Sequence, residues 1–162
     1  MGLSNSLYRH LQKISGKLYV TREKEELLCY SYDATGASFL PDAIIFPGSE
    51  NEVARILRLA SKEKLIVVPR GAGSGMTGGS VPVKGGLVLV TNRMNKIFDI
   101  DENNFIVRVQ PCVIVSDIHK SVEEKGLFYP PDPASSSVCT IGGNIGECAG
   151  GPRAVKYGVT RD

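Results

Sequence analysis

At 162 residues, the chain is long enough for one domain of ordinary size with its own hydrophobic core. Its 19 basic and 17 acidic residues give a net charge of +2 and form no basic run or stripe, which argues against nucleic acid or a membrane surface as a partner. The longest apolar runs have the length of a strand and fall far short of the roughly 20 residues that a membrane-spanning helix needs.

The termini and cysteines indicate the compartment. The N-terminus has no basic segment followed by an apolar one, so the sequence predicts no secretory signal. The four cysteines lie far apart and form no C-x-x-C pair, which favours reduced thiols over a disulfide or a metal site. We therefore expect a cytoplasmic protein without a metal site.

Residues 1–40 are predicted to form a helical lead-in to a main domain that spans residues 41–162. Ser6 is a plausible cap for a first helix, which has Leu7, Leu11 and Ile14 on one face and ends at Gly16. The charged stretch 22–28 predicts a second short helix. Residues 30–41 have turn-forming residues and no clear period.

A βαβ unit is predicted next. Residues 43–46 form a compact apolar run, and Ser49 and Glu52 then form a capping-box pair. The helix that follows, residues 50–62, has one apolar stripe, formed by Val53, Ile56, Leu57 and Ala60. A second buried strand at residues 65–68 completes a unit in which the two strands run parallel.

Beyond this unit the order of elements changes. Three strands, at residues 87–90, 97–100 and 105–109, follow without an intervening helix. A helix that Ser116 caps and Gly126 ends comes next. The order predicts an α+β, or mixed α/β, fold rather than a doubly wound sheet.

A glycine-rich loop begins directly after the second buried strand, and residues 71–86 contain seven glycines. Successive backbone amides that turn inward form an anion nest, which suits a diphosphate. A plain surface loop is the simplest alternative. Gly73, Gly75 and Gly78 also match G-x-G-x-x-G, but the prolines and glycines that follow prevent the helix which a Rossmann fingerprint requires. A Walker loop is excluded because no Gly-Lys-Ser/Thr follows.

A second glycine-rich segment follows a proline-rich stretch at residues 130–133, which is predicted to be stiff and extended. Thr140 is a plausible helix cap that leaves the amides of Gly142 and Gly143 free in the first turn. The alternative is a close packing contact that merely needs glycine. Two backbone surfaces that both need glycine fit a long ligand with phosphate and planar parts.

Several short segments occur in an order that resembles the FAD-linked oxidase family, whose FAD domain is of the p-cresol methylhydroxylase type. Within it, the segments are most similar to those of glycolate oxidase flavoprotein subunits and FAD-linked D-lactate dehydrogenases. The segments are Pro69-Arg70-Gly71-x-Gly73, Gly78-Gly79, Asp101, Val109-Gln110-Pro111, Pro131-Asp132-Pro133, Thr140-Ile141-Gly142-Gly143-Asn144, Ala149-Gly150-Gly151 and Lys156-Tyr157-Gly158.

The resemblance implies FAD as the cofactor and indicates which residues contact it. The loop 70–79 would hold the pyrophosphate, mainly through the amides of residues 71–75. The later segments would line the flavin and its ribityl chain. The implied cofactor-binding residues are Arg70, Gly71, Ala72, Gly73, Ser74, Gly75, Thr77, Gly78, Gly79, Pro131, Asp132, Ser135, Thr140, Gly142, Gly143, Asn144, Gly150, Tyr157 and Gly158.

The resemblance also implies a reaction: oxidation of a small 2-hydroxy acid by hydride transfer to flavin N5, with electrons passing to a partner such as an iron–sulfur subunit. No histidine stands in the glycine loop, so we expect non-covalent FAD. Relatives continue beyond residue 162, which implies a truncated FAD domain, an inactive isolated fragment and no catalytic residue within this chain. The alternatives are an inert flavin-binding remnant or interaction module, or another oxidoreductase on the same fold.

Two cysteines stand where this family usually has other residues, and one histidine needs an interpretation of its own. Cys112 stands where relatives have glycine, which would strain a turn that needs a positive φ. Cys148 replaces a common asparagine. His119 is expected to be solvated.

Overall fold

In the computed structural model, which describes residues 2–161, the chain divides into two units, one ending at Arg93 and one beginning at Met94. Helices and strands alternate irregularly, which confirms the predicted mixed α+β class. The first unit contains α1 Asn5–Ser15, a short 3-10 helix Lys17–Tyr19, β1 Val20–Thr21, α2 Lys24–Cys29, β2 Ala43–Ile45, α3 Glu50–Glu63, β3 Val67–Arg70 and β4 Leu87–Val90. The second contains β5 Ile97–Asp101, β6 Ile106–Val109, α4 Val115–Glu123, α5 Ile141–Glu147 and α6 Ala154–Tyr157.

The sheet of the first unit has the strand order β1-β2-β4-β3. β2 and β3 both run parallel to β4, as the predicted βαβ unit requires, but β4 lies between them. β1 pairs antiparallel with β2 at the other edge. All residues of β2 and β4 are buried, as expected for central strands that are covered on both faces.

Helices α1 and α3 share one core with this sheet. Leu11 of α1 and Ile56 of α3 pack with Ala43, Ile45 and Leu89. Residues 2–40 therefore share a compact unit, which ends at Arg93, with the strands that follow them. The physical reason is that α1 buries Leu11 and Ile14 in the core that the sheet and α3 form.

The helix caps correct two details of the sequence interpretation. Ser4, not Ser6, caps α1, because its Oγ accepts from the Leu7 amide at 3.3 Å. Ser116 lies inside α4, whose N-cap is Ile114. Ser49 does cap α3, with its Oγ accepting from the Glu52 amide at 3.3 Å.

The apolar stripe of α3 also differs from the prediction. Leu59 is buried, whereas Leu57 is 46% exposed. From Ile56, the spacing i, i+3, i+4 selects Leu59 and Ala60, so Leu57 lies off the buried stripe.

In the second unit, β5 and β6 form an antiparallel pair that packs with α4 and α5. Val113, Ile118, Val122 and Ile141 form the buried core, against which half-buried residues of both strands pack. Within residues 2–161, no helix combines the length and apolar character that crossing a membrane requires.

Candidate functional site

The glycine-rich loop leaves the sheet at the carboxyl end of β3. The chain between β3 and β4 contains no helix, so no helix terminus stands behind the loop. This confirms that the G-x-G-x-x-G match is not a Rossmann fingerprint, because that fingerprint depends on a helix which opens within the glycine run.

The amides of this loop are free to meet a ligand. Within residues 2–161, the backbone N–H groups of residues 71–75 donate to no protein acceptor. Gly73 has φ +69, while Ala72 and Ser74 beside it do not have positive φ. Consecutive amides that no protein group occupies can turn toward one anion, as they do in an anion nest. The loop thus offers consecutive unpartnered donors, as the sequence predicted.

Arg70 supports this loop from the protein side. The residue is only 7% exposed, and its Nη1 donates to the Tyr32 carbonyl at 2.7 Å. A Cβ built on Gly73 would overlap the Arg70 guanidinium, so any other residue there would have to displace this buried side chain as well as adopt a positive φ. Burial lowers the pKa of the Arg70 guanidinium, and the negative charge of nearby Asp33 acts in the opposite direction.

A turn at residues 33–35, which the sequence interpretation placed in the lead-in, contacts the same loop. Asp33 is 4% exposed, and its Oδ1 accepts from the Thr35 amide at 2.9 Å and from the Thr35 hydroxyl at 2.5 Å. The Ala34 amide donates to the Gly75 carbonyl at 3.1 Å. The Asp-x-Thr pattern is typical of a side-chain-stabilised turn, but nothing in it identifies the glycine loop as the partner.

The acidity of Asp33 reflects this environment. Burial acts to raise the pKa of its carboxyl group. The hydrogen bonds from Thr35 and the Gly78 amide, together with the Arg70 charge, outweigh burial and hold the pKa below its ordinary value.

In the second unit, Thr140 caps α5 as predicted, because its Oγ1 accepts from the Gly143 amide at 3.3 Å. The prediction of free amides in the first turn is wrong. The Gly142 amide donates to the Pro111 carbonyl at 2.8 Å, and a Cβ at Gly142 would lie 2.8 Å from that same oxygen. Gly142 therefore serves a close packing contact, which was the alternative interpretation.

Asn144, one turn further along α5, has an unused donor. The residue is 4% exposed, and its Nδ2 has no acceptor among the described residues. Its backbone amide and carbonyl are both used, by Thr140 and Ala149 respectively. A buried amide group without a partner usually indicates a missing water, ion or ligand.

The proline-rich stretch and the Ala149-Gly150-Gly151 segment, far apart in sequence, lie against each other. A Cβ at Gly151 would overlap the Asp132 carbonyl. Arg153 Nη2 lies 3.4 Å from Asp132 Oδ2. His119 Nε2 lies 2.8 Å from the Pro131 carbonyl oxygen, and the residue is half-buried, so its ring is only partly exposed to solvent.

The remaining predicted residues fall in both units. Ser135 begins a turn, and its carbonyl accepts from the Val138 and Cys139 amides at 2.8 Å each. Tyr157 is 45% exposed, with its ring centroid 5.4 Å from that of Phe128. Four more of the predicted residues lie on the glycine-rich loop, and two lie near the C-terminal end of the second unit: Ala72, Ser74, Gly78 and Gly79, and Gly150 and Gly158.

The backbone strain that the sequence predicted at Cys112 is found at Cys148 instead. Cys112 does not have a positive φ, so the expected turn strain is absent there. Cys148 instead adopts φ 54 and ψ 52 at the end of α5. Asparagine tolerates this left-handed conformation better than cysteine does.

Comparison with known proteins identifies a family and relatives. Residues 41–162 match the FAD binding domain family. The chain is 47% identical over 161 residues to glycolate oxidase subunit GlcD of Bacillus subtilis (strain 168), an alignment that covers 99% of this chain and 34% of the relative. It is 43% identical over 122 residues to D-lactate dehydrogenase of Anaerostipes hadrus, covering 75% of this chain and 26% of the relative.

A solved structure of p-cresol methylhydroxylase with substrate bound superposes with a TM-score of 0.75 at 21% identity, covering 87% of this chain and 28% of that one. This likeness confirms the predicted fold type. The chain spans about a third or less of the length of these curated relatives.

Proposed function

This chain belongs to the FAD binding domain family, and we propose that it forms the cofactor-binding portion of a flavin-dependent 2-hydroxy-acid oxidoreductase. The two relatives described above are named for glycolate and D-lactate, both small 2-hydroxy acids, which supports this substrate class. When bound, FAD supplies a two-electron acceptor for hydride from such a substrate.

The observation that carries the proposal is the run of unpartnered amides at residues 71–75. A diphosphate offers several anionic oxygens, and N–H groups fixed by a folded loop bind them without first breaking internal hydrogen bonds. Arg70 holds the loop from beneath rather than facing outward, so we propose that backbone amides provide most of the diphosphate contacts.

On the flavin side, the most specific candidate is Asn144, whose buried Nδ2 lacks an acceptor. An acceptor on the isoalloxazine or ribityl chain would satisfy it. The other proposed contacts there are Pro131, Asp132, Ser135, Thr140, Gly142, Gly143, Gly150, Tyr157 and Gly158. Because the Gly142 amide already binds Pro111, this residue would act through its small size and not as a donor.

Further properties belong to the whole protein. We propose that FAD binds non-covalently, since residues 70–79 include no histidine. We also propose an iron–sulfur electron-transfer subunit as a partner and the cytoplasm as the compartment. No catalytic residue is assigned within residues 1–162.

The test is flavin binding by the purified chain. We expect FAD to remain with the protein through gel filtration and to be released intact by acid precipitation. Protein that stays colourless after incubation with FAD would contradict the proposal, and flavin that stays attached after acid would contradict non-covalent binding.

A matched pair of variants locates the diphosphate site. Gly73→Ala introduces a methyl group that overlaps Arg70, and we expect FAD affinity to fall at least tenfold. Gly126→Ala is the control, because Gly126 has the same φ of +69 and nothing within 4 Å of an added Cβ. Equal loss of affinity in both variants would argue against the loop as the binding element.

A further inference from the structure

We propose that the Asp33–Thr35 turn is a positioning element of the FAD site, which holds the glycine loop in the shape that leaves the amides of residues 71–75 free. The inference rests on the proposed function and extends it to residues outside the matched range 41–162. It depends on three contacts between the turn, Arg70 and the loop.

The first contact fixes one peptide plane of the loop. The Ala34 amide donates to the Gly75 carbonyl at 3.1 Å. The C=O and N–H of a trans peptide point in opposite directions, so the N–H of Met76 points away from the turn. The hydrogen bond therefore fixes the peptide plane between Gly75 and Met76, which is where the run of free amides ends.

The second contact is the carboxylate of Asp33. It is almost fully buried, and the Thr35 amide and hydroxyl hold Oδ1 in place. The negative charge of this carboxylate interacts with the positive charge of Arg70, whose guanidinium lies against the loop.

The third contact is the Arg70 guanidinium beneath Gly73. Arg70 donates to the Tyr32 carbonyl, which belongs to the residue before Asp33, and its charge balances that of the buried carboxylate. The loop is thus held by the hydrogen bond at Gly75 and by the Arg70 side chain packed against Gly73, and the stretch of unpartnered amides lies at or next to these two points.

If Asp33 positions the loop, removing its carboxylate should weaken FAD binding; if it acts only through its charge, removing it should strengthen FAD binding. A carboxylate close to a diphosphate site repels the ligand, so on charge alone its removal would tighten FAD binding. If Asp33 holds the loop in shape, its removal weakens binding although a negative charge has been lost.

The experiment compares FAD titrations of the full 162-residue chain and its Asp33→Ala variant, followed by quenching of flavin fluorescence. We expect Asp33→Ala to weaken FAD binding by about tenfold, the loss expected when a buried charge-assisted hydrogen bond is removed. The matched control is Asp42→Ala, because Asp42 Oδ2 accepts from the Gly86 amide at 3.0 Å, outside the loop. Asp42→Ala should change FAD affinity less than twofold.

A second readout does not depend on FAD. Backbone ¹⁵N relaxation of the FAD-free chain should show order parameters typical of rigid backbone, about 0.85, across residues 71–78 of the wild type. In Asp33→Ala they should fall towards 0.6, whereas Asp42→Ala should leave them unchanged. The two readouts distinguish failure of the proposed function from failure of this inference. A wild-type chain that binds no FAD overturns the proposed function and the role of the turn in FAD affinity. The relaxation measurement still decides whether the turn holds the loop.

Unchanged or tighter FAD binding by Asp33→Ala would overturn the inference, as would equal losses in both alanine variants. Should Asp33→Ala fail to fold, Thr35→Val is decisive. This substitution removes the hydroxyl that holds Asp33 Oδ1 and alters no charge. If the turn positions the loop, FAD binding should weaken severalfold; if only charge matters, FAD binding should not change.

Discussion

A single backbone angle, φ, distinguishes Cys148 from Cys112. Cys148 has a left-handed conformation, which brings its Cβ close to the following carbonyl, whereas Cys112 lacks this strain. We expect Cys148→Asn to stabilise the folded chain by about 0.5–1 kcal/mol, because asparagine tolerates this conformation at a helix end. Urea unfolding measures the change.

Cys112→Asn is the matched control for this substitution. Its backbone gains nothing from asparagine, so we expect no increase in the free energy of unfolding. An equal gain in both variants would show that removal of a thiol, and not relief of backbone strain, is responsible.

Asp33 makes stability depend on pH in a defined direction. Its folded-state pKa lies below the ordinary value of 3.8, so the ionised carboxylate stabilises the fold above that pH. This contribution is lost as the pH falls through the folded-state pKa. We expect the free energy of unfolding to decline below about pH 4, as measured by urea unfolding at a series of pH values.

Asp33→Asn should flatten that part of the pH profile, because the side chain no longer titrates. A variant whose stability falls as steeply as that of the wild type over the same pH range would assign the acid sensitivity to other carboxyl groups.

At the scale of elements, α5 contains one glycine that has no room for a side chain and another that has room for one. Gly142 lies against the Pro111 backbone, whereas Gly146 has nothing within 4 Å of an added Cβ. Alanine favours a helix interior over glycine by about 1 kcal/mol. We therefore expect Gly146→Ala to raise the melting temperature and Gly142→Ala to lower it, as followed by circular dichroism.

The two variants control each other, since both replace glycine by alanine in one seven-residue helix. Stabilisation by both substitutions would contradict the close contact between Gly142 and Pro111.

The elements themselves were predicted with differing success. β4 was predicted at its observed bounds, because a four-residue apolar run has few alternative interpretations. The caps of α1 and α4 were misplaced, since two serines stand near the start of α1 and a serine inside α4 resembles a cap. β1, only two residues long, was missed because it is defined by pairing with β2 and not by a pattern of its own.

At the scale of the whole molecule, FAD binding should couple to stability. A ligand that binds only the folded chain stabilises it by about 2.7 kcal/mol at a concentration 100 times its dissociation constant. We expect FAD to raise the melting temperature measurably and riboflavin, which lacks the diphosphate, to raise it much less at the same concentration. Equal shifts in a calorimetric scan would assign binding to the flavin ring and not to the glycine loop.

Local patterns in the sequence were enough to predict the α+β class, the parallel βαβ strands, a loop whose amides are free, and a resemblance that identified the family. The structural features depend on residues within a few positions of one another, and the resemblance depends on short local segments that occur in a fixed order along the chain. The tertiary structure decided the partners of polar groups: Ala34 with Gly75, Gly142 with Pro111, and His119 with Pro131. It also placed β4 between β2 and β3. A hydrogen bond between distant segments leaves no periodic trace in the sequence, because either partner could equally be satisfied by water or by another part of the chain.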